Sequence, residues 1–409
     1  MFSKKCVLVL IVLSLVVSFG LFGFAQTEIT FWHSMHREHK EALEHITAQF
    51  EEANPDIKVE LVDQGGYGEL SQKLTTSAAA GKLPVSSQQY EDWTIQYVNA
   101  DLMKNLDWEL SYGLVKNLPD ALVDSCTFHE KMYTLPFNKS AMVLFYNTDL
   151  IDNPPETWDE LLSMAKDITA DTDGDGKIDR YGFGLRPTPE LFSLFHHQAG
   201  GKFLSEDKSE LLIDSEEGVK ALNFLADLRE YSLYQTGYLS GPFGSGKVAM
   251  YIGSSAGAPY VASASEGNHG WDTAPLPDGS ANGDSMIQGT NVGVFTVGNS
   301  EEQVEAGLEF IKFLIKDEWT IYWAKKTGYI PVTLSALNSE EWNTFLEENP
   351  KRKATSQMMK EGFVYPHHPD WYSVRNIFGN ILEKTMLGKG EPRELLEEGA
   401  KKFADKYAK

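Results

Sequence analysis

Cysteine is almost absent from this chain. The 409 residues hold two, and Cys6 lies in a leader-like segment, so Cys126 has no partner for an intrachain disulfide. Stability must come from a packed core. Basic charge is scarce as well: 36 Lys and Arg stand against 59 Asp and Glu, a formal net charge of −23. Such a field repels nucleic acid, and no basic stripe with interleaved aromatics offsets it. It also favours solubility. After Gln26 no long apolar run appears, which excludes a membrane-spanning mature chain. Neither solenoid-period repeats nor Pro- or Ser-rich linkers occur, so domains on a string are not expected.

What is present is enough to core two domains: 42% of residues are hydrophobic and 12% aromatic, which also argues against disorder. The start reads as an export signal. Lys4 and Lys5 form a basic region, Val7 to Phe24 an apolar run, and Gly23 and Ala25 small residues before Gln26. Residues 1–25 are therefore expected to be removed. The run is long enough to act as a retained anchor, which is the competing reading. A lipoprotein anchor does not fit, because Cys6 precedes the apolar run instead of ending it.

Strand-like and helix-like patterns then alternate. Glu28 to Trp32 reads as a strand, and His36 to Ala53 as a helix with Leu43, Ile46 and Phe50 on one face. Asn54-Pro55 stops that helix, and Ile57 to Val62 alternates as the next strand. This β-α-β opening implies a parallel sheet. Further strands are expected at Met142–Tyr146, Val248–Ile252 and Val292–Val297. Helices are expected at Glu216–Tyr231 and Glu301–Leu314, and Thr157 and Glu160 read as a capping box.

Several segments occur together in a specific order. Ile29-Thr30-Phe31-Trp32-His33-Ser34-Met35 leads to Asn54-Pro55-Asp56, then to Leu135-Pro136-Phe137-Asn138 and Leu144-Phe145-Tyr146-Asn147. Thr157-Trp158-Asp159-Glu160-Leu161 follows, and Lys326-Thr327-Gly328-Tyr329-Ile330-Pro331-Val332 comes late. The chain thereby resembles the family 1 extracellular solute-binding proteins of ABC importers over nearly its whole mature length. The Phe-Trp-His-Ser-Met and Thr-Gly-Tyr-Ile-Pro segments are most similar to the glycerol-3-phosphate binding proteins.

The resemblance implies an α/β, two-lobed periplasmic-binding-protein fold of type II, with the ligand cleft between the lobes and a three-strand hinge. The crossings are expected near Asn138–Met142, Met286–Val292 and Ile330–Leu334. The N-terminal lobe would be 26–140 plus 292–330, and the C-terminal lobe 141–291 plus 331–409. By the same resemblance the ligand residues are Tyr67, Glu91, Ser140, Ser254, Ser255, Gly289, Tyr329 and Arg375. Glu91 would accept from hydroxyls, the serines would meet phosphate oxygens, and Arg375 would grip phosphate bidentately. Each also suits an ordinary role: the tyrosines as packing groups, Glu91 as a surface acid, the serines as caps.

Two departures from the family pattern stand out. Lys139 replaces the first of two adjacent serines, and Gly184-Leu185-Arg186-Pro187-Thr188-Pro189 lacks the family's tryptophan. Lys139 and Arg186 either strengthen anion binding or are plain surface charge.

Other motifs carry less. Asp171, Asp173, Asp175 and Asp179 have calcium-loop spacing, but Gly182 stands where a bidentate glutamate belongs. A structural calcium or an Asp/Gly-rich turn both fit; no cofactor is required. Gly241 to Val248 nearly matches a nucleotide-binding loop but lacks the final Ser or Thr and precedes a strand. His33, His36, His39 and His45 cluster without a zinc pattern. No nucleophile elbow or complete metal triad points to an enzyme. The expected function is that of a monomeric, periplasmic receptor for an ABC importer, capturing glycerol 3-phosphate or a related glycerophosphodiester or phosphorylated polyol for the permease subunits. A sugar or oligosaccharide is the alternative cargo, and a secreted glycerophosphodiester- or glycoside-cleaving hydrolase the alternative of another class.

Overall fold

A computed structural model describes residues 26–360 and 362–407; the leader assigned to 1–25 lies outside them. Among the described residues no helix is long and apolar enough to cross a membrane. The opening forms as expected. Thr27–His33 pairs in parallel with Ile57–Asp63 along its full length, and helix Glu38–Ala53 between them buries Leu43, Ile46 and Phe50. Asn54 ends that helix by donating both its backbone N–H and Nδ2 to the Phe50 carbonyl.

One twisted sheet runs through both halves of the molecule. Its order is Ile57–Asp63, Thr27–His33, Ser86–Gln89, Ser285–Val294, Thr134–Asn147, Val248–Ser254, Tyr181–Leu185, Ser232–Tyr234. Two long antiparallel strands make the middle. All fourteen residues of Thr134–Asn147 are buried, and at about 3.3 Å per residue such a strand reaches through both lobes. Ser285–Val294 lies beside it and pairs on its other side with Ser86–Gln89. The register shifts between Thr290 and Asn291, a bulge of the kind that bends a strand.

Lys139 marks the junction of the halves. It stands opposite Gly289 in the sheet, and its carbonyl accepts the Ile330 N–H at 3.0 Å. The three segments expected as crossings thus meet at one residue.

The third crossing itself lies later than expected. Residues 334–348, assigned from the sequence to the C-terminal lobe, stay with the first. Leu334 donates to the Asn117 carbonyl at 2.7 Å, and Asn117 Nδ2 to Ser335 Oγ at 2.7 Å. Ala336, Trp342 and Leu346 share a buried cluster with Ile321 and Ala324 of helix Asp317–Thr327. The chain leaves at Pro350–Arg352, where Arg352 donates to the Tyr329 carbonyl at 2.6 Å. Helix Lys353–Lys360 then packs on Thr134–Asn147 and Trp271–Ala274. Thr157 does cap its helix, accepting from the Glu160 N–H at 3.2 Å, but the Glu160 carboxylate turns to the Glu156 N–H instead of closing the expected box.

Candidate ligand cleft

The end of strand Ser86–Gln89 delivers the chain to helix Glu91–Asn99. Tyr90, in extended conformation before that helix, and Glu91 and Asp92 in its first turn form one wall of a 230 Å³ cavity. Ser140, Gly289 and Tyr329 come from the hinge segments. Ser254, Glu190, Tyr365, Trp371 and Arg375 face them from the second lobe. Of the residues expected from sequence, Glu91, Ser140, Ser254, Gly289, Tyr329 and Arg375 are brought together.

Tyr67, Lys139 and Ser255 are not. Tyr67 stands behind the wall: its hydroxyl accepts from Asn138 Nδ2 at 2.9 Å, and its ring meets Tyr90 edge-on at 5.2 Å. Burial pushes that hydroxyl's pKa up. Ser255 is 1% exposed and accepts the Ala141 N–H at 3.3 Å. Lys139 is also 1% exposed, with Nζ donating to Glu91 Oε1 at 3.1 Å and to the Gly289 carbonyl at 3.2 Å. Neighbouring residues of a strand point to opposite faces. Ser140 therefore reaches the cavity, where its hydroxyl accepts from Ser254 Oγ at 3.0 Å, while Lys139 turns inward. Gly289 carries a φ of +111°, and a Cβ there would lie 1.9 Å from the Asn138 carbonyl oxygen. Close packing of the hinge strands requires the glycine whether or not a ligand approaches it.

In the cavity lining Arg375 is the one cation against Glu91, Asp92 and Glu190. Arg375 pairs with Glu190 and lies over the Tyr365 ring at 5.1 Å. Its Nε is buried and has no partner among the described residues. Burial lowers the guanidinium pKa, while Asp92, Tyr90 and Glu91 oppose the shift. Asp92 is the acid left over: burial first, and then the Glu91 charge, push its carboxyl up to about 6, against the pull of Arg375.

A wider chamber of 660 Å³ adjoins this cavity and shares Glu190, Ser254, Ala256 and Gln288 with it. Arg186 lies there, Nε donating to the Thr236 carbonyl at 3.1 Å and the guanidinium over Tyr238 at 4.5 Å. Sequence reasoning missed Tyr90, Asp92, Glu190, Tyr365 and Trp371. A signal existed for three of them: Tyr90 and Asp92 flank Glu91, and Trp371 stands four residues before Arg375, which puts both on one helical face.

Away from the cleft, Asp171, Asp173 and Asp179 bring ligand atoms within 4.8 Å of one another, all exposed. They are the residues able to hold a cation. Asp175 is outside this group, its carboxylate taken by the Lys177 N–H at 2.9 Å and Nζ at 3.2 Å. His36 pairs with Asp63 at 3.3 Å and His39 with the Thr327 carbonyl at 3.2 Å, so the histidines converge on no ion site. The glycine-rich stretch before Val248 leads into a strand, as its sequence context implied.

A sequence model of the bacterial extracellular solute-binding proteins matches residues 45–354. The sn-glycerol-3-phosphate-binding periplasmic protein UgpB of Yersinia pseudotuberculosis is 27% identical over 440 aligned positions, covering 98% of this chain and 97% of that one. Among solved structures, the cyclic alpha-maltosyl-1,6-maltose binding protein of Arthrobacter globiformis superposes with a TM-score of 0.83 at 22% identity, covering 93% of this chain and 98% of that chain. UgpB of Mycobacterium tuberculosis, solved with glycerophosphocholine, gives 0.76 at 20% identity, covering 92% and 97%. These likenesses establish the two-lobed fold.

Proposed function

The chain belongs to the bacterial extracellular solute-binding proteins, and on that premise we propose that it is the periplasmic receptor of an ABC importer, capturing glycerol 3-phosphate or a related glycerophosphodiester. The lobes close on the solute and reopen to release it, unchanged, to the permease subunits. Arg375 carries this reading. It is a permanent cation in the cavity wall whose Nε–H still lacks an acceptor. On lobe closure a phosphate oxygen takes up that buried donor, and the Ser140 and Ser254 hydroxyls offer further contacts. Glu91 faces them as an acceptor for glycerol hydroxyls. Relatives bearing a glycerol-3-phosphate name support the choice.

A neutral oligosaccharide is the second reading, favoured by one observation: Lys139 and Arg375 already have carboxylate partners. Titration calorimetry of the monomeric mature protein against glycerol 3-phosphate and maltose decides between them. Binding of glycerol 3-phosphate with none of maltose is the expected outcome; the reverse overturns it. Mass spectrometry should recover the solute intact, and turnover of a glycerophosphodiester would make the protein a hydrolase.

A further inference from the structure

Two chambers sharing a wall suit a solute of two parts. The inner cavity of 230 Å³ is smaller than the roughly 300 Å³ at which pockets for larger organic ligands begin. It suits a three-carbon phosphate. The outer chamber holds 660 Å³, which such a ligand leaves empty. At their shared wall stands Glu190, already paired with Arg375.

The outer chamber has its own chemistry. Glu190 is the one acid in its lining, so it offers no free carboxylate to a cation. Arg186 contributes positive charge, and its Nη groups have no protein partner among the described residues. That guanidinium already covers the Tyr238 ring, the face on which a quaternary ammonium would sit. Thr188 precedes helix Pro189–Gln198 without capping it through its side chain, leaving the hydroxyl available. Tyr251 is backed by Phe145 in a stack of 4.9 Å and 8°, and Tyr260 stands 62% exposed in the lining. Aromatic faces, hydroxyls and an N–H fork with no free acid describe a site for a neutral polyhydroxylated ring.

We infer that the solute is a glycerophosphodiester whose second alcohol is a sugar or cyclitol ring, seated in the outer chamber against Arg186 and the tyrosines. The inference rests on the phosphate reading above. It excludes a choline-type head, which would meet Arg186 as a like charge.

Calorimetry of the full mature chain with glycerol 3-phosphate, glycerophosphoinositol and glycerophosphocholine tests it. Glycerophosphoinositol should bind about tenfold or more tightly than either of the others. Arg186→Ala, and separately Thr188→Trp to fill the chamber, should each shrink that advantage toward parity. Equal or tighter binding of the choline diester overturns the inference, as does a ring diester no tighter than glycerol 3-phosphate; both leave the phosphate reading standing. If maltose binds and none of the three phosphates does, the phosphate reading itself falls and this inference falls with it.

Discussion

Lys139 and Arg375 are the same kind of group in different surroundings. Each pairs with a carboxylate, Glu91 in one case and Glu190 in the other. The lysine is sealed between the central strands at 1% exposure, with two acceptors and no path to a ligand. The arginine lies in a cavity wall, keeps one donor unused and shares its carboxylate with a second chamber. Burial on every side makes a cation a tie between strands. Burial on one side only, with a donor to spare, makes it a recognition group.

Exchanging each cation for an apolar residue breaks the comparison most sharply. Lys139→Met leaves the Glu91 carboxylate facing the hinge without its partner, and losing one member of a buried pair costs about 3–5 kcal/mol. Urea unfolding should show that loss, and Glu91→Gln in the same chain should recover part of it. A cost under about 1 kcal/mol would mean the pair does not hold the hinge.

Arg375→Met should act on affinity instead. Losing charge-assisted hydrogen bonds corresponds to about 1.5–3 kcal/mol, or roughly tenfold to a hundredfold in the dissociation constant for glycerol 3-phosphate. Stability should fall less than for Lys139→Met, because the Arg375 side chain is 26% exposed where that of Lys139 is 1% exposed. Unchanged affinity would remove Arg375 from the recognition set.

A smaller effect is expected from pH, through the acid that belongs to neither pair. The Asp92 carboxyl is raised from 3.8 to about 6 in the folded protein, so folding favours its protonated form. Between those values the folded chain holds a proton that the unfolded chain has lost, and stability falls as pH rises through the window. The loss is about 2 kcal/mol, allowing for hydration through the cavity. Thermal melts of Asp92→Asn should be flatter than wild type from pH 4 to 6. The smallest change is expected for Tyr67→Phe. It removes the acceptor for Asn138 Nδ2, at about 1 kcal/mol of stability, with ligand affinity kept because Tyr67 lies behind the wall.

The opening β-α-β unit was readable because its period changes cleanly from two to 3.6, and Asn54-Pro55 marks the break. The central strand was not readable at full length. Pro136, Asn138, Lys139 and Ser140 interrupt the apolar pattern before Met142, so only Met142–Tyr146 stood out. Pairing with Ser285–Val294 carries the strand through those polar residues, where the Asn138 side chain accepts from the Thr290 N–H and Lys139 donates to the Gly289 carbonyl. The late lobe crossing was hidden for a similar reason. Residues 330–334 resemble a hinge, yet Trp342 and Leu346 anchor the next segment to helix Asp317–Thr327.

By itself the sequence determined the alternating α/β plan, dependence on a packed core without disulfides, and a short set of polar and aromatic residues suited to a solute. Periodicity, charge and cysteine count are local or additive properties, and a chain displays them directly. Tertiary structure decided which of those residues meet. It turned Lys139 inward and Ser140 outward, set Glu190 against Arg375 from 185 positions away, and placed a second chamber beside the first. Such choices depend on strand register and on which lobe a helix packs against, and neither is written in the spacing of residues along the chain.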